Sequence, residues 1–258
     1  MKISPTKIAV FVVLYLSGTV LSTISGYNIN SKRIVKGEEL NYRAKWGILN
    51  IGIATTITDK RLYKIGSSIC YKVHLKAQTN GLAKLFYMND RWISYLEINS
   101  FDTYKSLRSI HEGKYRLEEI VDFDHNNNKA YLRKYEDNSN RYVLANIYET
   151  TNMRDVIAGF ICVRNIDYSN LRKGETLTID GFYKETGYKI QIIYLGKEIV
   201  QTEKGKINCY RIKPLVPKNK VFDGLDAVDV WLSADRTQKI MYAKAKLVLG
   251  VLELELIQ

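Results

Sequence analysis

Histidine and cysteine are scarce, with three of each among 258 residues. His74, His111 and His125 sit in unrelated contexts, so no two are spaced to share a metal ion or pass a proton. A Cys70–His74 dyad is excluded on distance, because same-face residues four apart on a strand stand about 13 Å from one another. Cys70, Cys162 and Cys209 are too few and odd in number for a disulfide framework. One bridge is permitted in an oxidising compartment, and buried free thiols fit at least as well. No phosphate loop, nucleophile elbow or metalloprotease helix occurs. Asp122-Phe123-Asp124-His125-Asn126 lacks the glycine and distant glutamate of a calcium-binding loop. It is read as a turn, with His125 solvated at its tip. The sequence therefore assigns no catalytic residue, no metal ligand and no cofactor, and it identifies no ligand-binding set.

Long hydrophobic runs are also missing, with one exception at the start. After Lys2 and Lys7, fourteen uncharged residues run from Ile8 to Leu21. A bilayer-spanning helix needs about 20 apolar residues, so the run has the length of a signal-peptide core. Small residues follow, and Thr23 with Ser25 places the expected cut after residue 25; an uncleaved anchor is the alternative. A lipoprotein signal requires a cysteine directly after the run, and the first is Cys70. The expectation is a signal peptide over 1–25 and a single β-rich domain over 26–258, periplasmic or secreted, with no transmembrane span once the signal is cleaved.

Export leaves 233 residues, enough for one large β domain or two small ones, and lowers the formal charge from +12 to +10. The lysines are scattered along strands rather than gathered in a run, which describes a solvated face. Nucleic acid is not an expected partner.

What is abundant is alternation. Leu40, Tyr42, Ala44, Trp46 and Ile48 alternate with polar residues, as do Ile69, Tyr71, Val73, Leu75 and Ala77, which puts Cys70 and His74 on the polar phase. Further strands are expected at 115–123, 130–135, 142–148, 187–194 and 243–249, and the alternating leucines Leu252, Leu254 and Leu256 end the chain. Asn126–Asn128 reads as a hairpin tip. One principal helix is expected near 152–165, with Met153, Ile157, Phe160, Ile161 and Arg164 on one face and Asn152 as its cap. A short helical turn is expected around Gly81–Tyr87.

Three words recur in order. Lys36-Gly37-Glu38-Glu39-Leu40 returns as Lys173-Gly174-Glu175-Thr176-Leu177, an offset of 137. Cys70-Tyr71-Lys72-Val73 returns as Cys209-Tyr210-Arg211-Ile212, and Trp92-Ile93-Ser94 as Trp231-Leu232-Ser233, both at 139. Two related β modules, about 36–110 and 173–258, are expected to flank a middle section, 111–172. The fold expected is mainly β, a curved antiparallel sheet of half-barrel or β-roll form. Equivalent cysteines and tryptophans in such a sheet read as packing residues.

The same words carry a family resemblance. Gly37 to Tyr42 with Trp46-Gly47 and Gly52, the block Asp155–Arg164, Gly196 to Ile199 with Cys209 to Pro214, and Trp231-Leu232-Ser233 with Asp235-Arg236 resemble the bacterial domain-of-unknown-function family 3108. Val156 and Ile240 stand where that family often has proline. The resemblance covers nearly the whole exported chain and implies an exported, largely β protein without an established activity. It transfers no functional residue, and the likeness to half-barrel envelope lipid carriers is one of fold alone.

Export, duplicated β modules and the missing catalytic set lead to a non-enzymatic envelope protein that binds or carries an apolar or amphipathic ligand, such as a lipid. Two alternatives stand beside it: a structural or protein-interaction module of the envelope, and an unrecognised hydrolase of envelope glycan or lipid.

Overall fold

The computed structural model describes residues 33–80, 87–151, 153–183, 186–203, 205–216 and 222–258. The signal segment 1–25, the cap Asn152 and most of the turn at Gly81–Tyr87 lie outside them. Eight strands come first: β1 (Glu39–Trp46), β2 (Leu49–Ile65), β3 (Ser68–Thr79), β4 (Asn89–Glu97), β5 (Thr103–Glu112), β6 (Tyr115–Asp124), β7 (Lys129–Glu136) and β8 (Arg141–Glu149). One helix, α1 (Val156–Asn165), follows. Six strands complete the chain: β9 (Thr176–Tyr183), β10 (Thr186–Thr202), β11 (Gly205–Pro214), β12 (Val228–Ser233), β13 (Ile240–Leu247) and β14 (Gly250–Leu256).

All fourteen strands form one sheet in the order β8-β7-β6-β5-β4-β3-β2-β1-β14-β13-β12-β11-β10-β9. Each half is a meander, which is what short polar turns between alternating strands produce. The halves join where β1 meets β14 antiparallel, Tyr42 opposite Leu256 and Trp46 opposite Leu252. β8 and β9 are left at the two edges, so the hydrogen-bonded ladder does not close. The curved, mainly β architecture expected from the alternation is the one observed.

Hairpin chemistry follows the turns. The Asn-rich tip between β6 and β7 turns through Asn128, whose φ of 53° only a residue tolerant of the left-handed region adopts easily. Asp124 accepts from Asn126 N and Asn127 N at 3.1 Å each, the turn role read from sequence. His125 is not free in solvent: its ring stacks on Tyr104 at 4.2 Å, and Nε2 lies 2.9 Å from Thr103 O. The start of β5, some twenty residues earlier in the chain, supplies those partners, which no local pattern could indicate.

Turn positions also correspond between the halves. Left-handed residues occur at Gly37 and Gly174, at Phe101 and Gln238, and at Gly113 and Gly250, each pair 137 apart. β2 and β10 each have 17 residues and begin 137 apart.

On β3 the expected alternation fails at one end. Ile69 is 40% exposed whereas Cys70 is fully buried. This exchange of faces coincides with a bulge in β2, where pairing jumps from Thr58–Val73 to Leu62–Tyr71, and a bulge bends and twists the strands that it joins. Cys70, Cys162 and Cys209 are all buried and unbridged. Burial, with a smaller contribution from nearby carboxylates, pushes the Cys70 and Cys209 thiols up to about 11; burial pushes Cys162 up to about 12. Since the thiolate is the reactive form, a disulfide reagent at pH 8 is expected to leave all three unmodified in the folded protein and to titrate three in guanidinium. Labelling of any of them in buffer at the rate of a free thiol would contradict this packing.

The helix departs from its sequence reading in two ways. It begins at Val156, after Met153, and its cap is Asp155, whose Oδ1 accepts from Ala158 N at 2.9 Å. It is also buried on nearly all sides, Ile157, Ala158, Gly159, Ile161, Cys162, Arg164 and Asn165 included. A helix apolar all round requires cover all round, and the curved sheet provides it. Both helix ends are fixed to the strands. Ser94 on β4 donates to Asp155 Oδ2 in a short contact, and Thr103 Oγ1 accepts from Asp155 N at 3.0 Å. At the other end Arg164 grips Glu38 just before β1 with two bonds, 2.7 and 3.1 Å. Gln238 Nε2 donates to Arg164 O at 2.9 Å and to Ile166 O at 2.8 Å, satisfying carbonyls at the helix end.

Candidate functional site

Two chambers lie along α1 and share Val156 and Ile157 of its first turn as wall. The first has a volume of ≈ 170 Å³ and is walled mostly by branched aliphatics, among them Val73, Ile179, Ile190, Ile192, Ile212 and Val230. These are the inward residues of β3 and β9–β12, which the period-two pattern points at the helix. Its polar contributions include Tyr42 and Arg164. Arg164 is spent on Glu38 and on the carbonyls of Thr237 and Gln238. Tyr42 is 3% exposed, and its hydroxyl has no hydrogen-bond partner among the described residues. Burial, only partly offset by Arg164, holds that phenol well above its usual range.

The second chamber is larger, ≈ 460 Å³, and mixed in character. Trp92, Ser94, Ser106, Arg108, Glu119 and Lys134 line it from β4–β7. Phe182 of the edge strand β9 reaches across to Phe123 on β6 and Tyr148 on β8, at ring separations of 5.7 and 5.8 Å. Together with Met153 and Ala130 these rings form a separate small core. The segment before the helix spans the same gap by backbone: Thr103 N donates to Met153 O and Phe182 N to Arg154 O, both at 2.6 Å. The gap between β9 and the β5–β8 side is thus bridged by side chains and one extended segment instead of by a ladder.

Inside this chamber Arg108 and Glu119 form an ion pair at 2.5 Å. Trp92 is 7% exposed, and its Nε1 has no partner among the described residues. Its repeat counterpart Trp231 does have one: Nε1 donates to Glu198 in a short contact, and Arg211 covers the ring at 5.1 Å. The equivalent tryptophans are both packed, but in different electrostatic settings.

Ser94 and Asp155 are the nucleophile-type and acidic side chains that meet in this chamber. Their contact is a helix cap. Asp155 accepts from Ala158 N, and none of the three histidines lines the chamber to serve as base. Burial is the largest influence on Asp155 and holds its carboxyl above the ordinary aspartate value against the bonds it accepts. A folded-state pKa above the unfolded one means that the native state binds more protons across that interval. The group's contribution to stability is therefore full below about pH 4 and declines as pH rises toward the folded value. Asparagine is an equally good cap, so Asp155→Asn is expected to flatten this decline. Urea titrations from pH 4 to 8 that gave parallel stability profiles for the two proteins would refute it.

His74 forms no dyad with Cys70; it stands at the wall of the aliphatic chamber, with its ring engaged by an acidic neighbour. It lies 3.5 Å from Asp59, which also accepts from Tyr63 Oη at 2.7 Å, and burial holds its imidazole below the usual value. His111 packs against Tyr87 at 4.5 Å. Asp122 pairs with Lys105 and with Arg133. Among the described residues no group of three or more histidine, cysteine or acidic side chains is arranged to hold a metal ion. No described helix is long and apolar enough to cross a membrane.

Comparison with known proteins agrees with the architecture. A family of proteins of unknown function, DUF3108, matches residues 41–257. A solved structure from Brucella abortus, a β-barrel-like protein of the domain of unknown function DUF1849, superposes with a TM-score of 0.50 at 8% identity, covering 85% of this chain and 95% of its own. A protein from Bacteroides fragilis with a YmcC-like fold, named as a candidate exported protein, gives a TM-score of 0.33 at 11% identity, covering 86% and 94%. None of the curated proteins matches.

Proposed function

The chain belongs to the DUF3108 family of proteins of unknown function, and from that premise we propose that it is an exported envelope protein that binds or carries an apolar or amphipathic ligand without catalysing a reaction. The observation that carries this reading is the aliphatic chamber beside α1. A ≈ 170 Å³ space walled by isoleucine and valine, with its one arginine already paired, offers water few partners. Such a space favours hydrocarbon over water. The larger mixed chamber next to it gives the polar end of an amphiphile somewhere to lie. Export is supported by the basic start and the fourteen-residue uncharged run; residues 1–25 are the proposed signal peptide and 26–258 one domain. Its sheet is proposed to be a head-to-tail tandem, in which β1–β6 correspond to β9–β14 and β7, β8 and α1 are the insertion.

Native mass spectrometry and lipid extraction of protein purified from its own envelope fraction test this. The expected result is a co-purifying amphiphile, and a delipidated sample whose melting temperature rises on adding long-chain lipids. Absence of bound small molecules together with no thermal shift across a lipid panel would remove the proposal.

One observation favours the interaction-module reading: Tyr142, Leu144 and Ile147 are exposed on the edge strand β8. The ladder from β7 skips Ala145, however, and a bulge is a common way to blunt an edge. Under ligand carriage, Leu144→Lys leaves co-purification of the amphiphile unchanged.

A further inference from the structure

We infer that two neighbouring hairpin tips at one end of the sheet, Ile48-Leu49 and Val248-Leu249, form a docking edge that enters the interfacial region of a phospholipid bilayer. The inference goes beyond ligand carriage and does not need either chamber to be filled.

The join between the two halves brings these tips together. Trp46 is opposite Leu252 at the end of the β1–β14 ladder, and Gly47 N donates to Val251 O at 3.1 Å just past it. The β1–β2 and β13–β14 turns therefore stand side by side. Their aliphatic side chains are turned out to solvent: Ile48 is 97% exposed, Leu49 61%, Val248 52% and Leu249 57%. No charged residue occurs between Lys45 and Asp59 or between Lys246 and Glu253.

Turn geometry does not ask for aliphatic residues here. The β5–β6 turn, the proposed counterpart of β13–β14, closes through Gly113-Lys114 between the paired Glu112 and Tyr115. β7 and β8 are joined by Asp137–Asn140, and β2 and β3 by Gly66-Ser67 at the opposite end of the sheet. Polar turns serve those hairpins, whereas the two aliphatic ones lie next to each other.

Area and charge point to the occupant. The four side chains expose on the order of 300 Å² of apolar surface, short of the ~800 Å² that each partner contributes to a stable protein complex. A bilayer boundary takes up apolar side chains in proportion to the area buried and needs no matching pocket. The charges just behind the tips are mixed. Lys45 is held by Glu255 and Lys244 by Glu253, while Asp223 adjoins Lys246 through its backbone N–H. Attraction to an anionic leaflet comes from the whole chain, whose net charge is +12.

An environment-sensitive thiol dye tests this, because the native thiols are buried. It is placed on Asn50→Cys beside the tips and, for comparison, on Ser67→Cys at the opposite end, both exposed positions. With vesicles of phosphatidylethanolamine and phosphatidylglycerol, the dye at position 50 is expected to shift to the blue and to be quenched by brominated lipid chains. The dye at position 67 is expected to do neither. The label reports on the tips themselves, whatever the N-terminal apolar run does. Ile48→Ser combined with Leu249→Ser is expected to weaken the dye-detected binding at least about tenfold, the increment for one buried aliphatic side chain. Leu144→Ser, at a residue 50% exposed on β8, is expected to leave it unchanged. Equal melting temperatures show that these surface changes spare the fold. No shift with vesicles, equal shifts at both positions, or binding unchanged in the double variant would each overturn the docking edge. A blue shift that grows with protein concentration without lipid, and is lost in the double variant, would make the edge a protein contact and overturn it too. The co-purified amphiphile tests ligand carriage separately, so either reading can fail alone.

Discussion

Arg164→Met is expected to destabilise the fold by about 3–5 kcal/mol, the range for breaking a buried ion pair by removing one partner. The two side chains are 3% and 8% exposed, so the loss strands the Glu38 carboxylate away from water. It also removes the donor to the Thr237 and Gln238 carbonyls. The pair joins the end of the helix to the residue just before β1, 126 positions earlier in the chain. A control separates the charge from the packing. Adding Glu38→Gln to Arg164→Met relieves the stranded charge, so the double variant should recover a good part of the loss. Urea denaturation of the four proteins measures this as a double-mutant cycle. Equal losses in the single and double variants would assign the effect to packing.

Gly52→Ala is expected to cost about 2–3 kcal/mol, at the upper part of the range for overfilling a packed site. The added Cβ would stand 2.3 Å from Gln78 O and 3.3 Å from Thr79 Cα, so the strand backbone of β3 must move. Because Gly52 pairs with Thr79, that movement opens the β2–β3 ladder at one end. Gly47 makes the useful contrast. Nothing lies within 4 Å of its would-be Cβ, but its φ is +57°. Alanine there should lose only the left-handed preference, about 1 kcal/mol. Thermal melts giving Gly47→Ala the larger loss would mean that β2 and β3 lie farther apart at Gly52 than described.

The strands were legible where one face meets the interior and the other meets water. Tyr115–Phe123, Ala130–Tyr135 and the terminal leucines satisfy that condition, and their strands fall within a residue or two of the sequence reading. β10 was read only as far as Tyr194, because the bulge before Gly196 breaks the period. The helix was found but misplaced at its start. Asp155 signals a cap as well as Asn152 does, and its deciding partner, Ser94, lies 61 residues away. The chambers left no trace at all. An isoleucine that lines a space and one that fills it obey the same alternation, so Ile179 and Ile192 read as core either way. Trp92 was judged a packing residue from its repeat position, and the strand that carries it was not among those read from the alternation. Its unsatisfied N–H depends on what β5–β7 bring opposite, which no spacing within β4 encodes.

The junction of β1 with β14 has a consequence for the order of assembly. Tyr42, near the beginning of the strand-forming chain, waits for Leu256, near its end, before either has both neighbours. Until then every hairpin on either side can form locally, but the two meanders have no shared ladder and α1 has only half of its enclosure. Completion of the sheet is therefore tied to arrival of the last ten residues. Contacts of such long sequence separation are slow to form. A growing chain consequently remains open at the centre of its sheet, and the enclosure is finished only when β14 slots in beside β1.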